Sequence, residues 1–189
     1  PLIHLPVQSG SNKILKNMNR KHTIEKYLEL TNRLIKINPR IKFSSDFIIG
    51  YPGETEKDFE ETLKIIDEVK YINIFSFIFS PRPGTPASKM EVIDSKITKE
   101  RLKIFQNKAS ELKIKYRKNL INTEVSVLFE NRIKNSSKFF GRDEHFNSVV
   151  VESNEDLKGK IENIRVSKIN KNTLFGELLK KTKKKDFAA

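Results

Sequence analysis

Apolar residues in the first part of the chain recur with two alternating periods. Ile3 to Val7 reads as a short strand running into the turn Gln8-Ser9-Gly10-Ser11, and a short helix follows from about Asn12. A second helix is predicted over Ile24 to Ile37, because Ile24, Tyr27, Leu28, Leu34 and Ile35 fall on one face and Thr23 suits an N-cap. The next strand is IKFSSDFIIG, ending in a glycine before the turn YPGE. Thr55, with Asp58 three residues on, then resembles a capping box, and Phe59, Leu63, Ile66 and Val69 supply a helical stripe. Ile72 to Phe79 is apolar on both faces apart from Asn73 and Ser76, so burial on both sides by helices is expected. After the loop SPRPGTPASKM, a long helix is predicted from about Lys99 to Arg117, with Leu102, Phe105, Ala109, Leu112 and Tyr116 as its stripe. This βαβαβ-loop-α rhythm implies helical crossovers and a parallel sheet.

The pattern then changes. TEVSVLFE, FNSVVVES, KIENIRVSKI and TLFGELL are short β-rich segments divided by Asn-, Ser-, Lys- and Gly-containing turns, the signature of a compact barrel. The predicted organisation is an α/β part over residues 1–116, a small all-β barrel over 117–180, and a basic, disordered tail over 181–189. Three parallel strands alone leave two open edges and an unclosed core. Because the chain also opens inside a strand at Pro1, the expectation is a C-terminal portion of a larger sheet.

Charge sharpens this reading. Lys and Arg number 37 against 24 Asp and Glu, a formal charge of +13 with a pI near 9.8. That balance favours a polyanionic partner, since neutralised phosphates release condensed counterions. The sequence has no cysteine, which excludes disulfides, zinc–thiolate sites and iron–sulfur ligation by its own residues. His4, His22 and His145 are too scattered for metal-ligand spacing and read as structural or surface residues. No apolar run reaches the roughly 18–20 residues of a membrane-spanning helix, so a cytoplasmic protein without a membrane partner is expected.

Parallel α/β folds gather ligands at the C-terminal ends of strands. At the first, Gln8, Ser9, Gly10 and Ser11 offer a tight turn with polar groups, as either an anion site or an ordinary helix cap. At the second, Asp46 stands in an apolar strand. It needs a partner there, either a ligand group or Ser44, Ser45 or a neighbouring loop. Ile49 and Gly50 end that strand, and Glu54 opens the next helix in a position that suits the helix dipole. At the third, Pro81, Arg82 and Gly84 belong to a proline-stiffened loop. Arg82 there suits a carboxylate, a phosphate or a purine edge, or else points to solvent. No general acid–base pair or other catalytic residue stands out.

In this order, HLPVQSGS, SSDFIIGYPGET and FSFIFSPRPGTPA resemble the methylthiotransferase branch of the radical S-adenosylmethionine (SAM) enzymes, and FFGRDEHFNSVVV with NTLFGEL resembles that family's TRAM domain. The resemblance runs from Pro1 to about Leu178. It implies a partial (β/α)6 barrel represented by its last three strands, followed by a small β-barrel that binds RNA. It also implies SAM as cofactor and two 4Fe-4S clusters whose cysteines lie upstream of Pro1, so this chain alone is expected to be inactive. The implied reaction methylthiolates C2 of N6-isopentenyladenosine beside the anticodon of a tRNA, through a radical generated from SAM. A reductant and sulfur-supply proteins are the further partners implied. Alternatives are a sister enzyme acting on threonylcarbamoyl-adenosine or on a ribosomal protein, and a non-enzymatic RNA-binding module. Carried onto matching positions, Gln8, Ser9, Gly10, Ser11, Asp46, Ile49, Gly50, Pro81, Arg82 and Gly84 would line the SAM-facing mouth. In the β-barrel, Arg132, Lys138, Arg142 and Arg165 are the expected phosphate contacts. Phe139, Phe140 and Phe146 are either base-stacking rings or core.

Overall fold

The computed structural model describes residues 1–179, so the predicted tail, residues 181–189, lies outside the described residues. The chain forms two compact units, Pro1–Lys115 and one that begins at Tyr116.

The first unit holds a three-stranded parallel sheet in the order β1 (Leu2–His4), β2 (Lys42–Ile49), β3 (Asn73–Ile78). Helices α1 (Asn12–Asn17), α2 (Ile24–Ile37), α3 (Glu56–Val69) and α4 (Ser95–Lys118) follow the strands or connect them. Strand β1 is shorter than its apolar run, although the chain keeps contact with β2 as far as Gln8, whose N–H donates to the Asp46 carbonyl. Helix α4 begins a turn earlier than its apolar stripe suggests, because the Asp94 carboxylate accepts the Lys96 N–H at 2.7 Å and supplies the start signal. Thr55 and Asp58 make a full capping box at α3.

One face of the sheet is closed. Phe43, Phe47 and Ile49 from β2 pack with Val7, Tyr27, Phe59, Ile65, Ile66, Tyr71 and Phe105 into a single core. The expected burial of β3 on both faces does not hold. Phe75 and Phe77 are 51% and 57% exposed, because the sheet face opposite the helices carries no covering layer among the described residues.

The second unit is a closed five-stranded barrel, with β4 (Glu124–Arg132), β5 (Lys138–Asp143), β6 (Ser148–Glu152), β8 (Thr173–Leu178) and β7 (Ile161–Ile169) in spatial order. Strand β8 runs parallel to β6 and closes the sheet through β7 and β4. Val127, Phe129, Phe139, Val149, Val151, Leu157, Ile164, Val166 and Leu174 fill the interior. Strand β5 was not among the predicted segments. Its glycine breaks the apolar alternation, yet it is required: a Cβ on Gly141 would lie 2.5 Å from the Leu128 carbonyl oxygen.

Candidate functional site

The uncovered sheet face brings together side chains from all three strands. His4, Ser44 and Asn73 share one register row, and Asp46 and Phe75 share the next on the same face. His4 Nδ1 lies 2.9 Å from Ser44 Oγ, and His4 Nε2 lies 3.5 Å from Asp46 Oδ1. The imidazole also meets the Phe75 ring edge-on, with centroids 6.1 Å apart. Asp46 therefore has a partner that the sequence did not offer, a histidine 42 residues away read as structural or surface. The Asp46 side chain is 32% exposed rather than sealed in apolar surroundings, so it escapes the desolvation cost that its neighbours in sequence suggested. A carboxylate, an imidazole and two exposed phenylalanines thus share one open surface. Alternation along β2 already puts Ser44 and Asp46 on one face. The contribution of His4 depends on strand register and could not be read locally.

The strand-end turns behave differently. Gln8, Ser9, Gly10 and Ser11 are all buried, and helix α3 takes up the serine hydroxyls. Ser11 Oγ donates to Asp58 Oδ1 at 2.7 Å, the Gly10 N–H donates to Thr62 Oγ1 at 2.9 Å, and the Ser9 hydroxyl lies 3.3 Å from Thr62 Oγ1. Gly10 serves close approach: an added Cβ would sit 2.4 Å from the Glu61 carbonyl oxygen and 2.5 Å from Thr62 Cα. Lys13 Nζ, 2.6 Å from Asp58 Oδ2, and the Thr55 side chain and N–H complete a hub around Asp58. Burial pushes that carboxyl up, but the hydrogen bonds from Lys13, Thr55 and Ser11 outweigh it and hold it well below the usual carboxylate range.

At the end of β2, Gly50 adopts φ +74, and its N–H donates to Glu54 Oε1 at 3.1 Å. Glu54 is almost fully enclosed, and its partner is Arg101 of α4 rather than the helix dipole alone. The guanidinium lies 2.9 Å from Glu54 Oε1, reaches Glu56 as well, and stacks over the Phe59 ring at 5.5 Å. Burial raises the Glu54 carboxyl above its ordinary value, with the Gly50 N–H and Arg101 opposing the shift. Arg101 was not singled out from the sequence, where it is one cation among many in a helix. In the proline loop, Ala87 packs with Ile14 and Tyr51, while Pro81, Arg82 and Gly84 are exposed at the tip.

In the barrel, two of the expected phosphate contacts are already ion-paired. Arg142 Nε lies 3.0 Å from Glu130, with its guanidinium over Phe140, and Arg165 lies 3.0 Å from Glu124. Arg132 donates to the Ser136 carbonyl at 2.9 Å and covers Phe139, which is core. Lys138 is exposed, with no side-chain partner among the described residues. Phe140 is half-buried on the barrel exterior, and Phe146 is 62% exposed.

A parallel sheet with one open polar–aromatic face, followed by a five-stranded barrel, agrees with the family comparisons. Residues 1–66 match the model of the radical SAM superfamily, and residues 118–179 match that of the TRAM domain. The chain is therefore similar to the radical SAM superfamily over its first third and to TRAM domains over its last third. It is 53% identical, over 98% of its length, to the tRNA-2-methylthio-N(6)-dimethylallyladenosine synthase of Pelagibacter ubique (strain HTCC1062), covering 42% of that protein. It is 46% identical over 93% of its length to the protein so named in Wolbachia pipientis subsp. Culex pipiens (strain wPip), and 44% identical over 95% to that of Rickettsia conorii (strain ATCC VR-613 / Malish 7), covering 41% of each. The chain thus spans about two fifths of the length of these relatives.

Proposed function

We propose that this chain forms one wall of the SAM pocket, together with the RNA-binding barrel, of a tRNA-modifying radical enzyme. The enzyme methylthiolates C2 of N6-isopentenyladenosine next to the anticodon. The observation that carries this reading is 53% identity across 98% of the chain to a protein named for that product. On this reading it works in the cytoplasm, supplied by a reductant and by sulfur-donating proteins. No helix among the described residues is long and apolar enough to cross a membrane.

The open sheet face fits SAM, which presents an ammonium, ribose hydroxyls and a flat purine. Asp46 would accept from the polar groups, His4 would keep the carboxylate oriented, and Phe75 and Phe77 would cover the apolar part. Ile49 and Gly50 would shape the mouth, with Arg82 of the exposed loop beside it. The buried Gln8-to-Ser11 turn would act by holding α3 against the sheet. When bound, SAM supplies the radical chemistry, and this chain's residues orient it and exclude water. Iron–sulfur clusters need thiolates. This sequence has none, and no group of three or more His, Cys, Asp or Glu suited to a metal occurs among the described residues. These residues therefore do not fit an iron–sulfur cluster, and their part is to bind and orient SAM.

The test is a chimera in which this chain replaces the corresponding two fifths of the Pelagibacter enzyme, produced in a bacterial host without its own synthase. Mass spectrometry of tRNA nucleosides is expected to show 2-methylthio-N6-isopentenyladenosine. A soluble, cluster-loaded chimera that leaves only the isopentenyl nucleoside overturns the proposal. In the same protein Asp46→Ala is expected to weaken SAM binding, and an unchanged affinity by titration removes Asp46 from the pocket.

A further inference from the structure

Of the barrel lysines without a side-chain partner among the described residues, Lys134, Lys138, Lys158 and Lys160 lie together at one end, whereas Lys168 and Lys171 fall toward the far end of β7. Strand β4 ends where β5 begins, and the hairpin closes with the Ile133 N–H on the Lys138 carbonyl at 2.8 Å. The loop between β6 and β7 comes to the same end. The Phe129 N–H donates to the Lys160 carbonyl at 2.9 Å, the Gly159 N–H returns to the Phe129 carbonyl at 2.8 Å, and the Ser153 N–H reaches Ser137 at 2.9 Å. Lys134 and Lys138 on the hairpin and Lys158 and Lys160 on the loop are exposed, and their ammonium groups have no partner among the described residues. Strand β8, parallel to β6, also ends on this side: the Leu179 N–H donates to the Asn163 carbonyl at 3.0 Å, and the sequence continues with five lysines in residues 180–185.

The surroundings suit a nucleic acid. Arg132, Ile133, Lys134, Asn135 and Ser136 line a concavity of about 480 Å³. Leu128 and Ile161, cross-strand neighbours 47% and 67% exposed, lie beside Lys160 and offer apolar contact for bases or ribose. Glu130 at this end is neutralised by Arg142. Glu152, which accepts from the Ser137 hydroxyl, Asp156, which caps the Lys158 N–H, and Glu155 remain, and with Arg132 the balance stays positive.

We infer that the β4–β5 hairpin and the β6–β7 loop are the RNA-contacting end of this barrel, taking the sugar–phosphate backbone on Lys134, Lys138, Lys158 and Lys160. The inference rests on the tRNA-modifying reading and deepens it. It replaces Arg142 and Arg165, whose charges are already answered by Glu130 and Glu124, with lysines that the structure leaves available.

The experiment uses the whole chain and an anticodon stem-loop RNA, with affinity followed by fluorescence anisotropy from 50 to 200 mM salt. Four phosphate contacts contribute a log–log salt slope of about 3, or roughly 60-fold in affinity over that range. The variant Lys134→Gln/Lys138→Gln/Lys158→Gln/Lys160→Gln is expected to lose most of that slope while keeping a cooperative thermal melt. Arg142→Gln/Arg165→Gln is expected to keep the slope. Both are repeated without residues 180–189, so that the lysines following Leu179 cannot stand in for the four. A slope unchanged in the lysine variant, or lost in the arginine variant alone, overturns the inference while leaving RNA binding intact. Wild-type chain that binds no RNA, or binds anionic phosphatidylserine vesicles as tightly as RNA, overturns it together with the tRNA reading.

Discussion

Replacing Asp58 with Asn tests whether one carboxylate holds the first strand-end turn onto α3. Asp58 accepts from Ser11 Oγ at 2.7 Å, Lys13 Nζ at 2.6 Å, Thr55 Oγ1 at 2.6 Å and the Thr55 N–H at 2.8 Å. Asn preserves the shape and one acceptor, but its amide cannot accept the three bonds made by Oδ2. Hydrogen bonds to a charged group contribute about 1.5–3 kcal/mol each. Lys13 is half exposed and is discounted for screening, so the net loss is about 2–3 kcal/mol at neutral pH. The pH dependence has a definite sign. The folded-state pKa is depressed, so the stabilisation is complete above the unfolded value of 3.8 and disappears as pH falls through the folded one. The gap between wild type and variant should therefore narrow by about 1 kcal/mol between pH 7 and pH 3. Urea unfolding at both pH values, followed by circular dichroism and by tyrosine fluorescence from Tyr27, Tyr51 and Tyr71, measures it. A gap that is constant with pH, or below about 0.5 kcal/mol at pH 7, would refute the charged hub.

Two other substitutions bear on the same unit. Gly10→Ala should cost about 1–3 kcal/mol, because the new methyl meets α3 backbone rather than a movable side chain; an unchanged urea midpoint would show that α3 can retreat freely. Arg101→Met should destabilise by about 3 kcal/mol by stranding the enclosed Glu54 carboxylate. Combining it with Glu54→Gln should recover most of that loss, and a double-mutant coupling near zero would remove the pair from the account of how α4 is held.

What was legible in the sequence was whatever is written within a few residues. The capping box at Thr55 and Asp58, the stripe of α3 and the parallel crossovers need only local spacing, and the structure shows each of them. Long-range matters were not legible. The Asp58 bonds to Ser11 and Lys13 join residues 47 and 45 positions apart, and no periodicity announces them. Strand β5 was missed because Gly141, placed there for a backbone contact with β4, looks like a break in a strand. Arg142 and Arg165 attracted attention because arginine suits phosphate. Their engagement by Glu130 and Glu124 depends on which strands become neighbours.

The exposed rings of β3 show where a hydropathy argument ends. Ile74, packed against the helix-facing core, and Phe75 and Phe77, uncovered on the opposite face, are equally apolar in sequence, so their pattern calls for a cover on both sides. Periodicity says that a face prefers to be dry. It cannot say whether a helix, another strand or a bound molecule keeps it so, because the gain per unit of apolar area is the same for each, about 25 cal/mol per Å². On the proposed reading, the polar groups on that face separate the cases. A surface meant only for packing gains nothing from a carboxylate and an imidazole set beside its rings, whereas a surface that must hold a charged, hydroxylated and aromatic molecule needs both kinds of group. His4 and Asp46 are on the open face with Phe75 and Phe77, and among the described residues the helix-covered face has no comparable pair.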